Sequence, residues 1–560
     1  MKSKFVWTLF FVFFISVFLY LLINPKMQYG GDLIEYFGMT ESVLNHGSLE
    51  LTPSDKTSLT KRFGEGYFKS ADYYPANLQG TRYSSHFFLY SFLNIPTRLV
   101  LKAFHLEELN VFRLTNTIGL CLGSFLVGYY FLKKLSERVI FFILLFLSPL
   151  MSFIVWPGPE LMYTTLILLG IFCYFHKKQW LAILLSTLAT WQSQPLMFIP
   201  LTMLAIHSLQ TIKHREFRIK NFIYIALFCF GIVIPNIYYL FTFGQPSPFT
   251  VTQIVGTQFF TFKKVTEVIF DPNIGLLFYA PFLLIMGVYG ILKTKMNIFD
   301  IILLVGCMII PLFFFPFIIN WNHGTAGYGP TRYALYLIPF LIYFALPFFH
   351  KQVKGYVFLA LYVIFQIFVL SFNGFLMPHM ENSFKHTPYA GIIMNLSPGL
   401  YNPSPEIFIE RTLGKEVSVP DTAIYKVNGV CKKAFIIKTN TQKVWDECGQ
   451  IPSTYTYQLK NEFLEPSKIY RALTTTEATL YPSDGACDEV FVKLNKLPYV
   501  CLKTTKQVLR ETKTADISRW QEMTPHIGVW TLKWGKNIGV TIPPGYTVHH
   551  HSMEGIYVPF

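Results

Sequence analysis

Two carboxylates near the start of the chain have the type and spacing for proton transfer. Asp32 and Glu35 follow a pair of glycines, in the loop after the first apolar run. Beyond Asp32 the apolar residues recur with the period of a helix, at Leu33, Phe37 and Leu44. Asp32 therefore stands at the N-terminus of a predicted amphipathic helix. That position suits a general base that takes a proton from a hydroxyl. It equally suits a helix cap, because Asp-x-x-Glu resembles a capping box.

The composition indicates what must hold these residues in place. The chain has 560 residues, of which 52% are hydrophobic and 14% are charged, whereas a soluble domain carries roughly 25% charged residues. Much of the surface must therefore face a lipid bilayer. The formal charge of +15 could indicate nucleic acid, but the basic residues cluster at the ends of apolar runs, as in Lys133, Lys134, Lys177, Lys178, Lys293 and Lys295. Lysines flank membrane spans in this way, so no nucleic acid partner is expected.

Apolar runs recur along the first two thirds of the chain and predict a polytopic α-helical membrane protein of about eleven transmembrane helices. The runs are 5–23, 112–132, 139–156, 160–175, 179–192, 195–209, 222–240, 274–292, 301–319, 333–349 and 356–372. The first run is too long for a usual signal-peptide core and is expected to be retained. The pair 179–192 and 195–209 is short, so the span count there is uncertain by two. The run 86–104 contains Asn94, Pro96 and Arg98 and is expected to lie in the interface or to re-enter.

The basic loops predict the orientation. With a cytoplasmic N-terminus, the strongly basic connections all fall inside, at 133–138, 176–178, 213–220, 293–295 and 351–354. The segments left on the extracytoplasmic face are 24–111, 156–160, 242–273, 320–332 and the tail after Phe372. Asp32 and Glu35 belong to the first of these. Any chemistry is therefore expected on the extracytoplasmic side.

The chain divides into a transmembrane domain of residues 1–372, a linker of residues 373–405 and an extracytoplasmic soluble domain of residues 406–560. The last part has no span, and its short alternating stretches predict a β-rich fold. Four cysteines lie in it, and neighbours in sequence favour the disulfides Cys431 with Cys448 and Cys487 with Cys501. Free thiols or a metal site are the alternatives. The run of His549, His550 and His551 is read as surface, because neighbouring strand residues point to alternate faces.

The stretch from Asp32 to Leu51, with Tyr36, Ser42, Leu44 and Gly47, resembles the opening signature of the GT-C superfamily of lipid-linked-sugar glycosyltransferases. It is most similar to the bacterial branch of aminoarabinose and other lipopolysaccharide-sugar transferases and protein O-mannosyltransferase-like enzymes. Four further stretches agree in order and spacing: GTRYSSHFFLYSFLNIP (80–96), YYLFTFGQPSP (238–248), FDPNIGLLFYAP (270–281) and WNHGTAGYGPTRYALYLIP (321–339). The resemblance covers residues 1–405 and leaves out the tail.

The resemblance implies roles for particular residues. Asp32 matches the family's catalytic aspartate, while Leu33 stands where relatives often have a second acid, so a second carboxylate would have to be Glu35. Arg332 matches the arginine expected to bind the donor phosphate through its planar fork. Further phosphate candidates are Lys61, Arg62 and Arg82, for which contact with lipid headgroups is the alternative. Candidates for substrate contacts are Tyr36, Glu160, His86, His323 and Tyr328. Gln192 and Gln194 occupy a turn where relatives often carry arginine.

The implied reaction is an inverting transfer of a sugar from a polyprenyl-phosphate donor to an envelope glycan, lipid or protein acceptor. It implies a multi-pass protein of a plasma membrane, the inner membrane of a bacterium, with membrane lipids as further partners. No metal and no cofactor are expected, because the leaving group is already a lipid phosphate. Two other classes stay open: a lipid or solute transporter or flippase, and a non-catalytic assembly subunit. The spans are almost free of ionisable residues, and this disfavours a transport path.

Overall fold

The computed structural model describes most of the transmembrane part and selected elements of the tail. The described residues are 2–24, 32–64, 81–213, 219–243, 246, 255, 259–318, 321–322, 324–349, 353–417, 422–437 and 441–449, together with six short strands between 470 and 559. The helices of the first half are α1 Lys2–Ile23, α2 Leu33–His46, α3 Pro53–Phe63, α4 Leu89–Ala103, α5 Val111–Tyr130, α6 Leu135–Phe146, α7 Glu160–Phe175, α8 Gln179–Thr190, α9 Phe198–Lys213 and α10 Ile219–Phe243.

The second half continues with helices and ends in strands. Its helices are α11 Phe262–Phe270, α12 Leu276–Tyr279, α13 Pro281–Lys293, α14 Ile298–Leu304, α15 Ile310–Phe314, α16 Leu337–Ala345, α17 Val353–Phe372, α18 Pro388–Leu396, α19 Pro405–Leu413 and α20 Thr441–Cys448. A π-helical turn, Val305–Ile309, joins α14 to α15. Pro311 at the start of α15 accounts for this turn, because proline has no N–H to donate to the preceding turn.

Within the described residues, six helices are long and apolar enough to cross a membrane: Phe5–Ile23, Glu108–Tyr130, Gln194–Lys213, Asn221–Phe243, Ile298–Phe317 and Gly355–Phe372. Four shorter apolar helices fall on further predicted runs: Glu160–Phe175, Gln179–Thr190, Pro281–Lys293 and Leu337–Phe349. The predicted run 139–156 contains most of α6 and a 3₁₀ turn, Pro149–Phe153. The helical membrane-protein class is thereby confirmed. The count of about eleven spans stays a prediction.

Helix α1 shows why these helices belong in lipid. Phe10, Phe14, Val17 and Leu21 recur along one face and are buried against the other helices. The opposite face is equally apolar, yet Phe5 and Ile15 are 64% and 58% exposed. A helix that is apolar all round is stable only where its outer face meets hydrocarbon.

Helix α4 has the reverse of the usual polarity for a surface helix. Its polar residues Ser91, Asn94 and Arg98 are buried, whereas Phe92 and Leu99 are exposed. The helix is 15 residues long and contains Pro96. An outward apolar face on a helix too short to span agrees with the predicted position in the interface.

Two short strands bring the first outer loop back onto α2. Strand β1, Glu50–Leu51, pairs antiparallel with β2, Arg82–Tyr83. Helix α2 ends at Gly47, which has a φ of +69° and so occupies the left-handed region that glycine enters at no steric cost. The β1–β2 pairing places the segment after Tyr83 beside the first turn of α2.

The segment 373–405, predicted as a linker, is folded. It contains α18 and 3₁₀ turns at Met380–Phe384 and Pro398–Leu400, and residues along it, such as Asn373, Thr387 and Met394, are buried. Thr387 bonds to Pro272 and Asn273, which precede α12, and Asn373 bonds to Ala326, so the segment packs against the helical part of the chain.

The described part of the tail is rich in strands, as predicted. Strands β3, Ala423–Val427, and β4, Val430–Ile437, form a hairpin through Asn428 and Gly429, both with positive φ, as a type I′ turn requires. Strand β10, Gly555–Pro559, pairs antiparallel with the other edge of β4. The remaining strands are β5 Tyr470–Thr474, β6 Ala478–Pro482, β7 Glu489–Leu494, β8 Val500–Lys503 and β9 Lys536–Val540, paired β5 with β9 and β6-β7-β8.

One of the two predicted disulfides is present. Cys431 on β4 is bonded to Cys448 at the end of α20, and this confirms the pairing of sequence neighbours. Cys487 lies outside the described residues, so its predicted pairing with Cys501 stays a prediction. Among the described cysteines, the free ones are those of the transmembrane helices, Cys121, Cys173, Cys229 and Cys307.

Candidate active site

Asp32 begins helix α2, but its side chain does not cap that helix. Its carbonyl accepts the Tyr36 N–H at 3.2 Å, as in any first turn, whereas its carboxylate makes no cap hydrogen bond. Oδ2 of Asp32 lies 3.3 Å from Nε2 of His86 and 3.5 Å from Nη1 of Arg332. The side chain is 27% exposed. The carboxylate thus has two cationic neighbours and one side open to a ligand.

Glu35 holds the segment that follows β2. The hydroxyls of Ser84 and Ser85 both donate hydrogen bonds to its carboxylate, and the Ser85 N–H donates a third at 2.9 Å. The capping box that the sequence allowed is therefore not formed with Asp32. A true capping box occurs nearby in α3, between Thr52 and Asp55.

His86 bridges the two carboxylates. Its Nε2 lies 3.3 Å from Oδ2 of Asp32 and 3.8 Å from Oε1 of Glu35. Its ring stacks on Tyr36 with 4.9 Å between centroids, and its backbone N–H donates to the Ser84 hydroxyl at 3.0 Å. Stacking and backbone contacts together fix the direction in which the imidazole points.

The charges around Asp32 set its protonation. Burial raises the pKa of Asp32, but the charges of His86 and Arg332 outweigh this and hold the pKa well below its usual range. Burial lowers the pKa of His86, yet the Glu35 and Asp32 carboxylates raise it to about 9. Burial raises the pKa of Glu35, partly offset by His86. At neutral pH Asp32 is therefore an ionised acceptor beside a protonated imidazole.

Arg332 joins Asp32 to a second carboxylate. Its Nη1 lies 3.1 Å from Oε1 of Glu160, the first residue of α7, and its Nη2 donates to the Tyr333 hydroxyl at 3.3 Å. Within the described residues, two buried atoms here have no hydrogen-bond partner: Nε of Arg332 and Oε2 of Glu160. A buried donor and a buried acceptor without partners are costly in a folded protein. An unpartnered donor and an unpartnered acceptor on two residues that are themselves ion-paired indicate a site that a polar ligand completes.

The turn before Arg332 is tightly constrained. Thr325 and Thr331 form an antiparallel bridge, and the Arg332 N–H donates to the Gly324 carbonyl at 2.5 Å. A Cβ on Gly324 would lie 2.6 Å from Cγ of Arg332, so only glycine lets this side chain pass. The Thr331 N–H donates to the Ile274 carbonyl at 2.8 Å, and this ties the turn to the segment that leads into α12.

These contacts define one group of side chains, here called the Asp32 cluster: Asp32, Glu35, His86, Glu160 and Arg332. The five residues come from four separate stretches of the chain and meet at the ends of α2 and α7. The cluster holds three acids and two bases, so its formal charge is −1 when all are ionised. It offers a partly exposed carboxylate next to a guanidinium with one free donor.

A second polar group lies nearby and is called the Glu406 cluster: Trp321, Asn322, Glu406, Glu410 and Arg411. The Glu406 carboxylate accepts the backbone N–H groups of Trp321 at 2.7 Å and Asn322 at 2.8 Å. The Asn322 side chain donates to Glu410 at 2.9 Å and accepts from Nε of Arg411 at 2.7 Å. All five residues are buried. Helix α19 therefore holds the start of the turn that ends at Arg332.

The other predicted site residues are placed as follows. Tyr36 borders the Asp32 cluster, where its ring stacks on His86. Arg62 pairs with Glu108, which also binds Arg98, so it belongs to a different ion network. Tyr328 stacks on Phe372 at the end of α17.

The remaining candidates lie on other elements or beyond the described residues. Lys61 is exposed on α3, and Arg82 lies in β2. Gln192 donates to the Phe87 carbonyl at 3.0 Å, one residue from His86. His323 and the run of three histidines from His549 lie outside the described residues.

Several residues of the site carry no signal in the sequence. Ser84 and Ser85 bind Glu35 across about fifty residues of chain, and a serine pair in a loop is unremarkable by itself. Glu406 lies where the sequence reads as the start of a separate domain. Only the stretch 80–96, quoted for its family resemblance, directed attention to the serines.

Comparison with protein families, with curated proteins and with solved structures finds no significant match to this chain. The fold defines the class of the chain as a helical membrane protein with a charged site at the ends of its helices. Within the described residues, no group of three or more His, Cys, Asp or Glu side chains is arranged to hold a metal ion.

Proposed function

We propose that the chain is an inverting glycosyltransferase, which moves a sugar from a polyprenyl-phosphate donor to an acceptor hydroxyl on the extracytoplasmic face. One observation carries the proposal: the Asp32 carboxylate starts a helix without capping it and instead meets His86 and Arg332 at a partly open site. An aspartate at the start of a helix usually caps it, so the ion pairs that Asp32 makes instead support a role other than capping. The family resemblance of residues 1–405 supplies the reaction class.

In the proposed step, the acceptor oxygen attacks the anomeric carbon of the donor sugar. The bond between that carbon and the phosphate oxygen breaks, and its electron pair leaves with the lipid phosphate. The acceptor proton passes to Asp32. Attack opposite to the leaving group inverts the anomeric centre. Atoms and charge balance without any metal ion or cofactor.

Arg332 is the proposed phosphate ligand. Its guanidinium is fixed by Glu160 at 3.1 Å and Tyr333 at 3.3 Å, and its Nε has no partner among the described residues. A phosphate oxygen bound there replaces the missing acceptor and is stabilised as its negative charge grows.

Donor binding also prepares the base. Arg332 lies 3.5 Å from Asp32 and, together with His86, holds the pKa of that carboxyl low. A bound phosphate neutralises the guanidinium and brings a negative charge close to Asp32, so the pKa of Asp32 rises. Asp32 thus becomes a better base only when the donor is present.

Glu35 and His86 are proposed as positioning groups. Three hydrogen bonds from Ser84 and Ser85 occupy Glu35, so it is poorly placed to take a proton. His86 keeps Asp32 ionised and directed toward the open side. This assigns the single proton-accepting role to Asp32.

Mass spectrometry of the glycolipids and envelope glycans tests the proposal. Four strains are compared at matched membrane abundance: intact, deletion, Asp32→Asn, and Asp55→Asn as the matched control, because Asp55 is a true capping acid of the same loop. We expect one sugar-sized mass to disappear in the deletion and in Asp32→Asn but not in Asp55→Asn. If the deletion alters the profile and Asp32→Asn does not, Asp32 takes no part in the chemistry.

A further inference from the structure

Helix α18 and the turn after it carry apolar side chains that the described part of the protein leaves exposed. Ile392, Leu396 and Leu400 are 58%, 76% and 82% exposed. The stretch 387–405 around them contains no Asp, Glu, Lys, Arg or His. Exposed leucines scattered singly are common, but three in one uncharged segment of a helix and its following turn form a patch.

The opposite face of α18 is buried. Ala390 and Met394 are buried in a small core that includes Phe408 of α19 and Phe435 of β4. The tail therefore packs on one side of α18 while the other side stays apolar and open. A helix with two apolar faces needs two apolar partners.

Hydrogen bonds fix where the open face lies. The Thr387 N–H, at the start of α18, donates to the Asn273 side chain at 2.9 Å, and the Thr387 hydroxyl donates to the Pro272 carbonyl at 2.8 Å. These residues directly precede α12 and the apolar helix α13. The Asn273 carbonyl accepts the Tyr279 hydroxyl at 2.6 Å, and the Tyr279 carbonyl accepts the Gln366 side chain of α17 at 2.7 Å.

The start of α18 is thus linked to the segment that leads into α13 and, through Gln366, to the half of α17 that leads to its C-terminal end. The exposed side of α17 near that end is apolar as well, with Phe368 and Phe372 at 60% and 48% exposure, and Phe375 just beyond it is 45% exposed. The lipid-facing surface of the helices therefore continues to the level at which α18 begins.

We propose that Ile392, Leu396 and Leu400 insert into the bilayer leaflet nearest the tail. Helix α18 then lies in the headgroup region, with the lipid beneath it and the sheet of β3 and β4 above it. The partner is the boundary between the acyl chains and the headgroups of the membrane. The tail contacts the membrane through this apolar face of α18. This inference does not depend on the proposed sugar transfer.

Photo-crosslinking of the full chain in phosphatidylethanolamine and phosphatidylglycerol vesicles tests the inference. Benzoylphenylalanine replaces, one at a time, Leu396, Leu400, Ile364 and Val430. Ile364 is 67% exposed on α17 and serves as the lipid-facing reference, while Val430 is 60% exposed in the β3–β4 hairpin of the tail and serves as the matched apolar control. All four sites are exposed, so folding is preserved in each variant.

We expect the yield of phospholipid adducts at positions 396 and 400 to approach the yield at position 364. It should exceed the yield at position 430 by about tenfold, because the first two positions lie in the membrane interface and position 430 lies in water. Equal lipid labelling at 396 and 430 overturns the inference. Adducts between two copies of the chain, in place of lipid adducts, also overturn it and show that a second copy covers the face.

Discussion

The Asp32 cluster and the Glu406 cluster each contain two glutamates and one arginine, but they differ in how completely the fold pairs their polar atoms. In the Glu406 cluster every residue is buried, and within the described chain no buried side-chain nitrogen or oxygen of its five members lacks a partner. In the Asp32 cluster, Asp32 is 27% exposed, and Arg332 and Glu160 each keep an unpartnered atom. Satisfied buried networks specify a structure, whereas unsatisfied atoms beside an opening leave room for a ligand.

One segment of the chain connects the two clusters. Residues 321–332 run from one to the other, with Glu406 holding the start of this segment and Arg332 at its end. The difference teaches that charge alone does not mark a functional site. The useful criterion is which charged atoms the fold leaves without partners. Five substitutions separate the clusters by their effects on activity and on stability.

The largest effect is expected for Asp32→Asn. Loss of the base should lower the transfer rate by about 10²- to 10⁴-fold, while the thermal unfolding midpoint in detergent changes little, because Asp32 does not cap α2. The sugar mass on the acceptor and the melting curve are the two readouts. A large fall in the midpoint together with normal transfer would assign Asp32 to the structural group.

Arg332→Lys should follow in size. Lysine keeps the charge but loses the planar fork that contacts Glu160 and Tyr333, so we expect a fall of about 10²- to 10³-fold in transfer. Arg411→Lys is the matched control in the Glu406 cluster, where the guanidinium binds Asn322 and the Lys385 carbonyl. Arg411→Lys should lower the thermal unfolding midpoint more than it lowers the transfer rate. The comparison fails if the two lysine variants behave alike in both assays.

Glu406→Gln should act on stability more than on chemistry. The carboxylate accepts two buried backbone N–H groups, and an amide can accept only through its single oxygen. A charge-assisted hydrogen bond contributes about 1.5–3 kcal/mol, so the free energy of unfolding should fall by about that amount. Thermal unfolding measures it. Transfer should decline only as far as the turn before Arg332 loosens, and an unchanged midpoint would argue against the anchoring role.

The smallest effect concerns pH and His86. The pKa of His86 is raised from 6.5 to about 9, so the protonated imidazole is fully present at neutral pH and is lost as pH rises through about 9. Transfer should therefore be flat near neutrality and decline on the alkaline side. His86→Gln should remove that decline and lower the neutral rate modestly. A pH–rate profile that keeps the same alkaline limb in His86→Gln would assign the limb to another group.

The sequence predicts the parts of this account that depend on local pattern. Apolar runs locate the helices, the helical period after Leu33 places Asp32 at a helix start, and closeness in the chain pairs Cys431 with Cys448. Patterns of this kind need only a few neighbouring residues.

Contacts between distant residues were beyond the same reasoning. Glu160 and Arg332 are 172 residues apart, and no local pattern pairs them. The segment 373–405 is rich in turn-forming residues and is predicted as a linker, yet its buried residues Asn373 and Thr387 bond to Ala326 and Asn273, which are far away in the chain. A serine pair such as Ser84 and Ser85 has no periodicity to reveal that it binds Glu35.

The most direct test of the central claim is the ratio of polyprenyl-phosphate-linked sugar to glycosylated acceptor in lipid extracts of cells that carry Asp32→Asn. If Asp32 is the base of a transferase, the donor accumulates and the acceptor lacks the sugar, while Asp55→Asn cells match the intact strain. An unchanged ratio in Asp32→Asn cells, at matched protein abundance, contradicts the claim and leaves the Asp32 cluster without a role in sugar transfer.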